Sequence, residues 1–166
     1  MVQGTDGSTN CFAVLKPNGE PADGAGSTPD SPIFGGGILG QGYGIGIDPS
    51  GNVWAGNFGW GGDLPNGSVS KLSPDGTPIS PAAGYVHGLD RVQGTVSDQK
   101  GNIWMASYAN DSVVVFPNGN QHSALAFNDC NSIPVNCSTR PFHVQIDDQG
   151  FAWVTYEGSS TLARFA

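Results

Sequence analysis

An all-β fold made of small repeated sheets is what this sequence predicts, and two observations carry that expectation. Three segments superimpose: Ile47-Asp48-Pro49-Ser50-Gly51-Asn52-Val53-Trp54, Ser97-Asp98-Gln99-Lys100-Gly101-Asn102-Ile103-Trp104 and Ile146-Asp147-Asp148-Gln149-Gly150-Phe151-Ala152-Trp153. Their tryptophans lie 50 and then 49 residues apart. A fixed period in that range marks repeated supersecondary units, each with a face it cannot bury alone. The second observation is composition. With 26 Gly and 12 Pro and only 12% charged residues, turns are frequent. No stretch carries apolar residues at the i, i+3, i+4, i+7 spacing of an amphipathic helix.

Each repeat opens on an alternating strand, as in Tyr43-Gly44-Ile45-Gly46-Ile47 and Phe142-His143-Val144-Gln145-Ile146. The Asp-x-x-Gly that follows is hairpin chemistry: Asp bonds local backbone N–H groups and Gly supplies the positive φ. Asp48, Asp98 and Asp147 are therefore expected to form turns. A second strand carries the tryptophan. A third ends in Pro-Asp/Asn-Gly, at Pro74-Asp75-Gly76 and Pro117-Asn118-Gly119, and the same ending appears early at Pro17-Asn18-Gly19. Weaker fourth strands are expected near Ile33-Phe34, Thr77–Ile79 and Ala124–Phe127. Trp54, Trp104 and Trp153 are expected as wedges between sheets.

Four-stranded units in this order resemble the blades of a β-propeller. The run from Gly44 to Trp54 resembles NHL-type repeats, streptogramin lyases of the virginiamycin B lyase kind, and the gluconolactonase-like group. The resemblance implies a single partial propeller: outer strands of one blade over 10–34, blades at 42–80 and 92–127, and an incomplete blade at 141–166. Closed propellers have 4 to 8 blades. About three is half a ring, so the expected partner is a second copy of the chain, giving a homodimer, or the remainder of a longer propeller.

Charge excludes some classes. A net charge of −8 with six Lys and Arg provides no basic stripe to displace counterions from nucleic acid. No run approaches the 18 apolar residues of a membrane span. Met1-Val2-Gln3-Gly4 shows no secretory signal, which implies a cytoplasmic protein or a longer one that is periplasmic or secreted. Cys130 and Cys137 flank a short loop and suit either a disulfide or two thiols, with Cys11 left over.

A blade's second strand ends beside the start of its first, opposite the Asp-x-x-Gly turns. Tyr43-Gly44, Gln93-Gly94 and Phe142-His143, with Asn57, Ser107-Tyr108 and Tyr156-Glu157, are thus expected around one central pocket. Asp63, Asn110 and Asp111 lie beyond them. Asn57, Asp111 and Glu157 are oxygen donors of the type Ca²⁺ takes, with Mg²⁺ as the alternative, and a central cation is what the gluconolactonase-like resemblance implies. Trp60, on the Gly-rich run 58–63, is a candidate substrate contact, as are Gln93, Tyr108 and Tyr156. His87 and His122 lie in loops without a partner at ligand spacing.

Pro141-Phe142-His143-Val144 resembles the Pro-His-x-Ile opening of streptogramin lyase blades, with one residue inserted. Trp153-Val154-Thr155-Tyr156-Glu157-Gly158 resembles their Trp-Phe-Thr-Glu stretch, with Glu157 one position late. His143 is the candidate general base, since imidazole moves protons near neutral pH, and Glu157 the candidate catalytic carboxylate. The chain has only two Glu, Glu20 and Glu157, which disfavours a paired-Glu glycosidase. The resemblance implies a metal-dependent hydrolase opening a cyclic ester, a lactonase. The alternatives are a non-catalytic binding or assembly module and a streptogramin lyase-like eliminase.

Overall fold

The computed structural model describes residues 2–3, 10–25, 29–38, 43–59, 67–128 and 138–166. Its strands form antiparallel sheets that follow chain order. β1 (Val2–Gln3), β2 (Cys11–Ala13) and β3 (Ile33–Phe34) make a leading sheet, ordered β1-β2-β3. The first blade contains β4 (Ile45–Ile47), β5 (Val53–Asn57) and β6 (Ser68–Leu72). β7 (Val92–Ser97), β8 (Ile103–Ser107), β9 (Ser112–Phe116) and β10 (Leu125–Phe127) form the second, ordered β10-β9-β8-β7. β11 (Pro141–Ile146), β12 (Ala152–Tyr156) and β13 (Thr161–Phe165) form the third.

The expected fourth strand at Thr77–Ile79 does not form. Only single bridges, Leu72↔Pro78 and Val69↔Tyr85, touch the outer edge of β6. Pro78 and Pro81 lack the N–H that a ladder needs. Ser80 serves instead: its Oγ accepts the Lys71 N–H at 2.7 Å and donates to the Gly36 carbonyl at 2.6 Å. At the other end of the chain, β1 adds a strand that alternation does not reveal.

The repeat's turn Asp is a clamp. Asp98 Oδ1 accepts the Lys100 and Asn102 N–H groups, both at 2.9 Å. Its Oδ2 accepts Asn102 Nδ2 at 2.8 Å and the Trp104 indole Nε1 at 3.1 Å. Asp48 binds Trp54 Nε1 at 2.9 Å and Asp147 binds Trp153 Nε1 at 2.8 Å, with the matching backbone bonds. One carboxylate thus closes the hairpin and orients the tryptophan.

Blade contacts explain the burial. Trp54 packs with Val92, Ile103, Met105 and Phe116 of the second blade. Trp104 packs with Val144, Val154 and Tyr156 of the third. Exposure of the repeated tryptophan is 0%, 7% and then 38% for Trp153, against which no further sheet packs among the described residues. β11, β12 and β13 pair Gln145 with Trp153, His143 with Thr155, Trp153 with Arg164 and Thr155 with Leu162. Those side chains share the outer face of the third blade, opposite the Val144–Val154 core. Leu162 there is 60% exposed.

Glycine lets the inner strands approach. A Cβ on Gly44 would fall 2.2 Å from the Thr95 nitrogen, and one on Gly94 would fall 2.9 Å from the His143 Cα. Neither glycine has a positive φ; close approach alone demands them. The equivalent third-blade residue, four before the turn Asp, is His143.

Candidate functional site

On the side away from the Asp clamps, two equivalent positions per blade converge. Tyr43, Gln93 and Phe142 each lie five residues before a turn Asp, and Phe58, Tyr108 and Glu157 each lie four residues after a repeat tryptophan. Tyr43 packs against Phe58 with centroids 5.7 Å apart and against Phe142 at 6.4 Å. Phe58 packs against Tyr108 at 5.8 Å. The Tyr108 hydroxyl then donates to Glu157 Oε2 at 2.9 Å. The result is a continuous mouth across three blades, aromatic along most of its length and acidic at one end.

Two arginines cover it. Arg91 lies over the Phe58 ring at 5.7 Å and Arg140 over the Tyr108 ring at 5.9 Å. Both occupy the left-handed region, at φ 52 and φ 55, which costs a non-glycine residue roughly 1–2 kcal/mol. The reward is repeated geometry. The Tyr108 N–H donates to the Arg91 carbonyl at 3.1 Å, and the Glu157 N–H to the Arg140 carbonyl at 3.0 Å. Each arginine therefore reaches back over the preceding blade's ring, a cation–π arrangement.

Glu157 raises the Tyr108 phenol above its ordinary value by accepting its hydrogen bond, and desolvation adds to that, while Arg140 pulls the other way. Gln93 is 4% exposed and its Oε1 has no hydrogen-bond partner among the described residues. Buried acceptors are nearly always satisfied, so this oxygen suits a donor from a bound molecule or water.

The remaining candidates are dispersed. Asn57 is buried and its Nδ2 donates to Ser68 Oγ at 3.1 Å and Ser70 Oγ at 2.9 Å. Asp111 Oδ1 accepts the Arg140 N–H at 2.7 Å, stapling the second blade to the third. With Glu157 on Tyr108, the expected cation donors engage three different sets of protein groups. Among the described residues no three His, Cys, Asp or Glu side chains gather as a metal site. Tyr156, expected at the mouth, is 3% exposed and packs in the core with Trp104. Alternation on β12 turns it inward with Ala152 and Val154. Trp60, Asp63, Cys130 and Cys137 lie outside the described residues; Cys11 is a free, half-buried thiol.

His143 is exposed, and its N–H donates to Thr155 Oγ1 at 3.3 Å. A register shift between Pro141 and His143 marks an irregularity there, as β-bulges do where a strand re-aims a side chain. His143 follows Phe142 in the chain and is therefore next to the mouth, while its side chain lies with Thr155 on the third blade's outer face. Sequence reasoning missed the two arginines. Their signal was the shared spacing, each seven residues before a turn Asp.

No family model matches the sequence, and no curated protein does. Solved structures do match. A nidogen–laminin complex aligns at TM-score 0.64 and 16% identity, over 96% of this chain and 52% of that one. The chain has the β-propeller fold. A putative gluconolactonase aligns at 0.57 and 17% identity, covering 91% and 51% respectively. A catalytically inactive histidine-to-alanine variant of virginiamycin B lyase from Staphylococcus aureus, with quinupristin, aligns at 0.55 and 16%, covering 75% and 38%. The propeller segment therefore spans about half or less of the length of these structures. At such identities the likeness is one of fold, and the lyase and gluconolactonase group named on sequence lies among its neighbours.

Proposed function

We propose that the mouth binds a small cyclic ester and that the propeller opens it by adding water. The observation that carries this reading is the convergence of Tyr43, Phe58, Tyr108 and Phe142 with Arg91, Arg140 and Glu157 on one side of three blades. Such a surface offers the exposed rings of Tyr43 and Phe142, supported by the buried Phe58, and a few placed polar groups to orient a ring. Gln93 Oε1 adds a buried acceptor.

In the reaction, water adds to the ester carbonyl carbon, the acyl C–O bond breaks, and the ring oxygen leaves as an alcohol after taking a proton. The guanidinium groups favour the negative charge that develops on the carbonyl oxygen. His143, next to Phe142 and exposed, turns its imidazole from the outer face toward the mouth, takes the proton from water and returns it to the leaving oxygen. Two neighbours support the reading, one named a putative gluconolactonase and one a lyase inactive with a histidine replaced. The residues expected to hold Ca²⁺ or Mg²⁺ do not fit a common ion: Asn57, Asp111 and Glu157 face separate protein groups, so the chain's own side chains carry each step.

The test is a panel of lactones in ¹⁸O-water, with and without chelator. The expected result is turnover with ¹⁸O in the acid product, falling at least about 100-fold in His143→Ala, the scale of general-base loss. An unsaturated product without ¹⁸O would identify an eliminase. Binding without turnover of any lactone would leave a binding module, the reading favoured by the engagement of Glu157 and Asp111 with protein groups.

The outer face of the third blade, with Trp153 and Leu162 exposed, is proposed to receive another blade, from a second copy or from further blades of a longer chain. A solution mass near twice 17.1 kDa is expected for pairing. A stable monomer at micromolar concentration would remove the second copy as the source.

A further inference from the structure

Away from the mouth, two connections that are distant in sequence meet as a pair of imidazoles. His87 lies between the first blade and β7, and His122 lies in the short 3-10 turn Gln121–Ser123 between β9 and β10. Their ring centroids stand 5.4 Å apart with the planes at 72°. Both residues are exposed. His87 Nδ1 lies 3.1 Å from Gln121 Oε1. An amide oxygen only accepts, so Nδ1 is the donor in this contact, and in the neutral ring Nε2 is the nitrogen left to bind an ion. Metal-binding histidines are oriented in this way, with one ring nitrogen donating to an oxygen and the other turned to the ion.

We propose that His87 and His122 form a binding site for a transition-metal ion of the imidazole-preferring class, Zn²⁺, Ni²⁺ or Cu²⁺. Imidazole suits those ions, whereas Ca²⁺ and Mg²⁺ take oxygen ligands. Two imidazole nitrogens at about 2.0–2.1 Å from one tetrahedral ion place their ring centroids about 5 Å apart, close to the separation seen. The backbone at each histidine is already held. Asn110 Nδ2 donates to the Gly88 carbonyl at 2.9 Å, and the Leu89 N–H closes a turn on Val86 at 3.2 Å. The His122 N–H donates to Asn120 Oδ1 at 3.0 Å, and Asn120 Nδ2 to Ser123 Oγ at 3.0 Å. Little ordering remains to oppose binding. Water completes the coordination, and the ion clips the connection before β7 to the outer edge of the second blade.

Calorimetric titration with ZnCl₂ in a non-chelating buffer tests the site on the whole chain. One ion per chain is expected, with affinity reduced at least about tenfold in His87→Ala and in His122→Ala, as one of two ligands is lost. At a tenfold excess over Kd, Zn²⁺ should raise the wild-type Tm by about 3–5 °C, and this rise should vanish in both variants. His122→Gln, which keeps a polar side chain of similar length, should behave like His122→Ala. His143→Ala should bind as the wild type does. Absence of Zn²⁺ uptake by the wild type, or wild-type affinity in both single variants, overturns the proposal. So does loss of binding in His143→Ala, which would place the ion at the mouth.

Discussion

Replacing Gly44 with alanine is expected to cost about 3 kcal/mol or more, near the upper end of overpacking penalties. The added methyl would lie 2.2 Å from the Thr95 nitrogen, 2.7 Å from the Gln93 carbonyl oxygen and 2.8 Å from the Gly94 carbonyl carbon. All three are backbone atoms of β7, so no side chain can swing aside. Relief requires the first two blades to separate, which opens the core where Trp54 packs against Val92 and Met105. Gly150→Ala is the control. Nothing lies within 4 Å of that Cβ, so only the φ of 85 is strained, at about 1 kcal/mol. Urea midpoints at neutral pH distinguish the two. Equal midpoints would mean that the inner strands do not need glycine to meet.

The same comparison bears on His143. Glycine stands at its position in both preceding blades because the next inner strand packs directly on it. An imidazole there keeps any following blade from an equally close approach. Either that blade stands off or the side chain turns toward the mouth. Both leave space beside Phe142, where the proposed reaction needs it.

Much of the architecture was legible in the sequence because it rests on local chemistry. Asp-x-x-Gly names its own turn, and the tryptophan period places the wedges. Hairpin geometry also indicated the side of the blades on which Tyr43, Gln93, Phe142, Tyr108 and Glu157 stand, but not Phe58, and Asn57 and Tyr156 lie buried away from it. What escaped depends on contacts between distant segments. The bond from each turn Asp to its own tryptophan Nε1 needs the hairpin already closed. The burial of Tyr156 depends on which face of β12 meets the second blade. Arg91 and Arg140 read as isolated loop charges until their left-handed backbones aim them at Phe58 and Tyr108. His87 and His122 come together only through the packing of two loops 35 residues apart in sequence.

Asp98→Ala is expected to lower stability by about 3–4 kcal/mol at neutral pH, the sum of several modest net losses around a charged acceptor. Four accepted bonds disappear, and the Trp104 indole N–H loses its partner at a residue only 7% exposed. Asp98→Asn keeps one acceptor oxygen but turns an NH₂ toward groups that are themselves donors, so it should fall between. The charge makes this dependent on pH. Burial pushes the Asp98 carboxyl up, but the bonds from Trp104, Asn102 and the Asn102 and Lys100 N–H groups outweigh it, leaving the pKa below its ordinary 3.8. The unfolded chain therefore takes up the proton first as pH falls. The stabilisation is complete above the ordinary carboxylate value and is lost as pH drops through the lower folded one. The gap in urea midpoint between wild type and Asp98→Asn should be constant from pH 8 to about pH 5 and shrink steadily below about pH 4. A gap independent of pH would show that the carboxylate's charge has no part in the clamp. Asp48 and Asp147 are shifted in the same direction, Asp48 against its burial and Asp147 chiefly by its Trp153 bond. Three clamps titrating together should make acid unfolding steep. Asp147→Asn should be the mildest of the three equivalent changes, because water reaches the half-exposed Trp153 and replaces what the carboxylate gave.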